Sequence, residues 1–208
     1  MPTLHNPEHI RYYRALEDDL EATFRYVEPQ SQLDVHSDEF ARIILVAATE
    51  VENVLREFAV WAQGYGQPKL SPPLTILKLT DVVAKFFPKF ATMQILAPSI
   101  SVLLYPWKDL SATSAPDWWT KGYNKIKHDR QGNMNAPTLR RALQAVGALQ
   151  VVLLHYYRLR YGPTAMLADR AIPRLLVPWD SASPHGNASE LWQFELPDDP
   201  KESAGSSP

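Results

Sequence analysis

The residues best suited to chemistry lie in one short stretch, Pro116 to Arg130, with the sequence PDWWTKGYNKIKHDR. On a helical wheel Lys121, Asn124, Lys125 and His128 fall together, at spacings of three, four and seven. Trp119, Tyr123 and Ile126 share the opposite face, with Gly122 beside them. One helix is thus expected to pack its aromatic side inward and to hold an ordered polar stripe outward. A histidine among Lys125, Lys127 and Arg130 suits a phosphate-bearing ligand. The cations supply charge, and an imidazole moves a proton near neutral pH. The plain competing reading is a solvated, lysine-rich face, with His128 near a helix C-terminus where a cation is favoured anyway. Trp118 and Trp119 read as core or interface anchors rather than a base-stacking platform.

Such a helix needs a scaffold, and the 208-residue sequence supplies helical patterns. Asn6, Pro7 and Glu8 read as an N-cap, a proline at N1 and an acidic first turn, opening a mixed-charge peripheral helix that runs to about Tyr26. Ser37 caps the clearest helix, with Asp38 and Glu39 in its first turn. Phe40, Ile43, Ile44, Ala47, Val51, Val54, Leu55, Phe58 and Trp61 then recur every three or four residues, and Gly64 ends the helix. Residues 65 to 78 have loop composition, and Thr80 is expected to cap a short helix, Asp81 to Phe87, before Pro88. TMQILAPSISVLLY, within 91–105, reads either as a small two-stranded hairpin or as another short helix. Asn135, Ala136 and Pro137 open the last long helix, apolar along one face and stopped by Gly162 and Pro163. The expected fold is all-α in the main: a bundle of four to five helices, with the small β-hairpin insertion near 91–105. Residues 1–178 are expected to form one helical domain, and 179–208 an extended, partly disordered tail.

Composition excludes several function classes. There is no cysteine, so disulfides, zinc ribbons and thiol catalysis are out. His5, His9, His36, His155 and His185 show no ligand spacing, so neither a metal site nor a cofactor is expected. No glycine-rich phosphate loop or G-x-S-x-G elbow is present. The formal net charge is −2, so contact with nucleic acid must come from a local basic patch. No apolar run approaches the roughly 20 residues of a membrane span, and the N-terminus turns polar at once. A cytoplasmic protein without a membrane partner is the expectation.

The order of a long helix, a later helix bearing YNKIKH and a further long helix resembles the HEPN superfamily. The resemblance covers roughly 35–160 without the middle insertion, and includes SDEFARIILVAATEVENVLREF from Ser37 to Phe58. It implies a helical bundle, a homodimer with the motif helix at its cleft, and a role in toxin–antitoxin, phage-defence or RNA-processing systems. It also implies a signature of an arginine, a polar residue and a downstream histidine, which in active members cleaves RNA without metal. His128 matches that histidine and Asn124 the polar residue; Tyr123 stands where the arginine belongs. Lys121, with six residues between it and His128, is the substitute cation. In this reading His128, Asn124 and Lys121 would be the catalytic set, and Lys125, Lys127 and Arg130 would draw in RNA. Glu50 and Glu52 would face the motif helix. Because lysine replaces a bidentate guanidinium poorly, the expectation is a non-catalytic HEPN-like module that binds RNA, a nucleotide or a partner protein. The alternative is a metal-independent ribonuclease that uses His128.

Overall fold

A computed structural model describes residues 3–5, 7–62, 74–162, 166–168 and 173–179. The chain is mainly helical with a small antiparallel sheet, and its centre is a pair of long helices, α2 (Asp38–Ala62) and α5 (Leu139–Tyr161). The Ser37 hydroxyl accepts from the Phe40 N–H at 3.1 Å, as an N-cap should. The apolar stripe of α2 is buried from Phe40 through Ala59. Gly64, expected to end α2, lies outside the described residues.

The long helix α5 differs from its expected form in two ways. It starts at Leu139, after Asn135, Ala136 and Pro137, with Thr138 as its cap, and the Thr138 hydroxyl accepts from the Arg141 N–H. It is also more than amphipathic, since every residue from Ala145 to Tyr157 is buried. Three layers cover it: α2, the helix α1 (Ile10–Thr23) and a sheet. The sheet has the order β3-β2-β5 and is antiparallel throughout. Its strands are β2 (Gln94–Ala97), β3 (Val102–Leu104) and β5 (Val177–Trp179). The hairpin reading of 91–105 is therefore the correct one. It turns through a short 3₁₀ segment at Pro98 and through Ser101, which takes a left-handed φ of 53°. The close approach of the sheet falls on Gly147, where a Cβ would stand 3.1 Å from Pro106 Cγ.

The remaining elements also start differently from expectation. α1 begins at Ile10, after His9 in a left-handed conformation (φ 67°), so Pro7 lies ahead of the helix. It ends at Thr23. The helix α3 (Ile76–Phe86) begins five residues early, with Thr75 at its N-cap position. Thr80 is buried inside it, and its hydroxyl bonds back to the Ile76 and Leu77 carbonyls. The chain closes on itself in two places. Strand β1 (Thr3–Leu4) pairs in parallel with β4 (Met166–Leu167). Further on, the segment before β5 lies against α1, where the Glu17 carboxylate, 2% exposed, accepts from the N–H groups of Arg174, Leu175 and Leu176. The boundary drawn at 178 falls within β5, and residues 180–208 lie outside the described residues.

No helix among the described residues is long and apolar enough to cross a membrane.

Candidate functional site

The motif segment starts at Pro116, whose carbonyl accepts from the Trp119 and Thr120 N–H groups. Trp118–Tyr123 is then a π-helical turn, continued by the short helix α4 (Asn124–His128). The π turn widens the helix by one residue, a distortion often found at functional sites. It is held by aromatics. Trp118 is 2% exposed, donates from Nε1 to the Pro106 carbonyl at 2.7 Å, and meets Trp107 edge to face at 5.6 Å. Trp119 packs on Tyr123 at 4.6 Å, and Ile126 completes the buried face. The tryptophan pair is thus core. Beyond His128 the chain turns on Asp129, whose carboxylate accepts from the Gly132 N–H; a Cβ at Gly132 would collide with that carboxylate.

The outward face carries the expected residues. Lys121, Lys125, Lys127, His128 and Arg130 are exposed and Asn124 is half-buried. Their partners divide them. Lys121 Nζ sits 3.0 Å from Asp117 Oδ1, and Arg130 reaches Asp38 at 2.7 Å. Lys127 donates to the Tyr123 hydroxyl at 3.1 Å, a contact that, with the charge of Glu52, raises its pKa. Lys125 and His128 have no hydrogen-bond or ion-pair partner among the described residues. Tyr123, standing at the signature arginine's place, is 6% exposed and faces the core.

An arginine nevertheless arrives, from another helix. Arg141 of α5 crosses Gly122, where a Cβ would stand 3.3 Å from its Cδ. Its Nε donates to Asp117 Oδ2 at 2.8 Å and its Nη1 to the Ala136 carbonyl at 2.8 Å. Burial works to raise the Asp117 pKa, but Arg141 and Lys121 outweigh it and hold the carboxyl below its ordinary range. Lys121, Lys125, Asn135, Ala136 and Arg141 together line a hollow of about 300 Å³. Arg141 carries no sequence signal for this role; the packing of α5 alone brings it to Asp117, which the motif segment itself supplies.

A second polar cluster lies at the start of α1. His9 Nδ1 is 2.5 Å from Glu50 Oε1, and Nε2 is 3.2 Å from Glu57 Oε1, the latter an ion contact without hydrogen-bond alignment. Tyr156 donates to Glu57 at 2.9 Å, and Arg160 donates to the Tyr156 hydroxyl and to Glu8. Glu50 is therefore committed to His9, while Glu52 pairs with Arg56 at 2.5 Å. Of the two, only Glu52 bears on the motif helix, through its charge on Lys127.

Burial works to lower the His9 pKa, but the Glu50 hydrogen bond and the negative charges of Glu50 and Glu57 together raise it above 6.5. A raised folded value means that the pairing contributes fully below pH 6.5 and is lost as pH rises through the folded pKa. His9→Asn keeps a residue that tolerates positive φ and removes the charge. It is expected to cost about 2 kcal/mol at pH 6 and distinctly less at pH 9. Urea denaturation of both proteins at the two pH values checks this; an equal cost at both would remove the charge pairing as the cause.

Among the described residues no group of three or more histidine or acidic side chains is arranged to hold a metal ion. No family model matches the chain, and no curated protein or solved structure matches it.

Proposed function

We propose that the chain is a HEPN-like helical module that binds RNA through the exposed face of the π turn and α4 without cleaving it. The observation that carries this reading is the division of labour on that segment. The aromatic side is locked in the core, while Lys121, Lys125, Lys127 and His128, and Arg130 in the turn that follows, remain outward. The cations attract a phosphate backbone, and their local clustering works despite the net charge of −2. Two features favour binding over catalysis. The signature arginine is replaced by an inward tyrosine, and among the described residues His128 has no hydrogen-bonded partner that would fix its tautomer and orientation. The same face at the cleft of a homodimer would double the basic surface. The resemblance of the motif region to the HEPN superfamily also suggests a defence or toxin–antitoxin setting.

Fluorescence anisotropy with labelled single-stranded RNA in EDTA tests the reading, with a gel run on the same samples. The expected result is salt-sensitive binding to intact RNA. Replacing Lys125 and Lys127 together with glutamate should weaken it at least about tenfold, by reversing two charges at the backbone. His128→Ala should bind as the unchanged chain does. RNA cleavage that vanishes in His128→Ala would establish the ribonuclease instead, and no binding at all would overturn the RNA reading in favour of a nucleotide or a protein partner.

A further inference from the structure

We infer that the hollow between the π turn and the start of α5 is a subsite for one sugar-phosphate unit of RNA, with Arg141 as its main ligand. The inference rests on the RNA-binding reading and specifies what that site grips. Three cations, Lys121, Lys125 and Arg141, converge on this hollow from two elements, and among the described residues the carboxylate that pairs with them is that of Asp117. Such a concentration is unfavourable for the folded chain alone and favourable once an anion enters.

Arg141 is already in place for that anion. Its side chain is 21% exposed, and Asp117 and the Ala136 carbonyl hold Nε and Nη1. A guanidinium has five N–H donors in a planar fork. Nη2 has no hydrogen-bond partner among the described residues, so donors remain for phosphate oxygens. Little rotamer freedom is left to lose on binding. Asp117 is a positioning residue, because it touches Arg141 and Lys121 rather than the ligand.

The lining also defines the ligand class. Among the described residues no aromatic ring lines the hollow, so they offer no stacking surface to a base. About 300 Å³ lies at the small end of ligand pockets and suits one backbone unit rather than a duplex. Asn135 adds an amide that both donates and accepts, as a ribose 2′-hydroxyl requires. The grip should therefore be independent of base sequence and selective for RNA over DNA.

The experiment uses the full chain, labelled oligo(U) and oligo(dU) of equal length, and a series of salt concentrations. Arg141→Lys keeps the charge and loses the fork. It should weaken oligo(U) binding about tenfold with little change in salt dependence. Lys125→Gln should lower the slope of log affinity against log salt by about 0.7, one single-strand phosphate contact. Asn135→Ala should reduce the preference for oligo(U) over oligo(dU). Unchanged thermal midpoints guard against misfolding. If the Lys125 and Arg141 variants bind like the parent while Lys127→Gln or Arg130→Gln weakens binding, the subsite is overturned and the RNA reading survives. If the parent binds no RNA, the amides of Gly122, Lys125 and Arg141 are followed by NMR during titration with dimethyl phosphate and inorganic phosphate. Shifts confined to these residues keep the subsite as a phosphate site, and their absence overturns it as well.

Discussion

Glu17→Gln is expected to lower stability by about 2 kcal/mol, or roughly one strongly charged hydrogen bond together with an unmade one. The substitution is close in shape and wrong in chemistry. Oε1 of Glu17 accepts from Tyr13, Leu175 and Leu176, while Oε2 accepts from the Arg174 N–H at 3.0 Å and lies 3.4 Å from Arg14 Nε. An amide leaves one end as an N–H₂ group facing donors, so every orientation strands buried N–H groups. Glu17→Ala removes all acceptors and should cost more, about 3 to 5 kcal/mol, in the range found when one partner of a buried charged set is deleted. Burial pushes the Glu17 carboxyl up from its ordinary value, and the N–H groups of Arg174 and Leu176, with Tyr13 and Arg14, offset part of that. Urea denaturation gives the cost, and amide exchange at Leu175 and Leu176 locates it. Loss of stability without faster exchange at those two amides would mean that Glu17 does not hold this segment.

Trp107→Ala should be comparably damaging, at about 4 kcal/mol, by leaving a cavity where a large ring was. Trp107 is fully buried, donates weakly to the Ala148 carbonyl at 3.4 Å, and touches Phe90 at 5.0 Å and Trp118 at 5.6 Å between ring centres. It thus links α5 to the π turn from the core side. Trp107→Phe keeps most of the apolar volume and should cost markedly less. Beyond the global loss, the alanine variant should show faster amide exchange across 118–128 than across α2. Equal acceleration everywhere would mean that the π turn does not depend on this contact.

Much of the scaffold is written locally. The Ser37 cap and the α2 stripe are legible because each signal lies within a few residues of what it governs. The start of α3 is not, because a threonine hydroxyl serves equally as a cap and as a back-bonded interior group. Thr75 has the capping position and Thr80 the interior one. The motif face survives the π turn in the sequence reading because residues four apart stay on one side even in the wider helix. Trp119 and Tyr123 are such a pair. Arg141 escapes the same reading, since its approach to Gly122 is fixed by how α5 packs. His9 escapes it too: Glu50 is 41 residues away, and no spacing rule reaches across a helix pair.

The clasp at Glu17 has a consequence for how the protein is made. Its backbone donors lie 157 to 159 residues downstream, and the Glu8 contact with Arg160 spans 152. On a ribosome, α1 emerges long before either partner exists. Until α5 follows, its buried face has only α2 to meet, and the Glu17 carboxylate must stay hydrated until residues 174–176 arrive. The bundle therefore closes late, when segments separated by roughly 10 to 30 seconds of synthesis meet. Nascent chains stalled before residue 174 would present α1 as a loosely held, partly apolar helix, the kind of surface that chaperones retain.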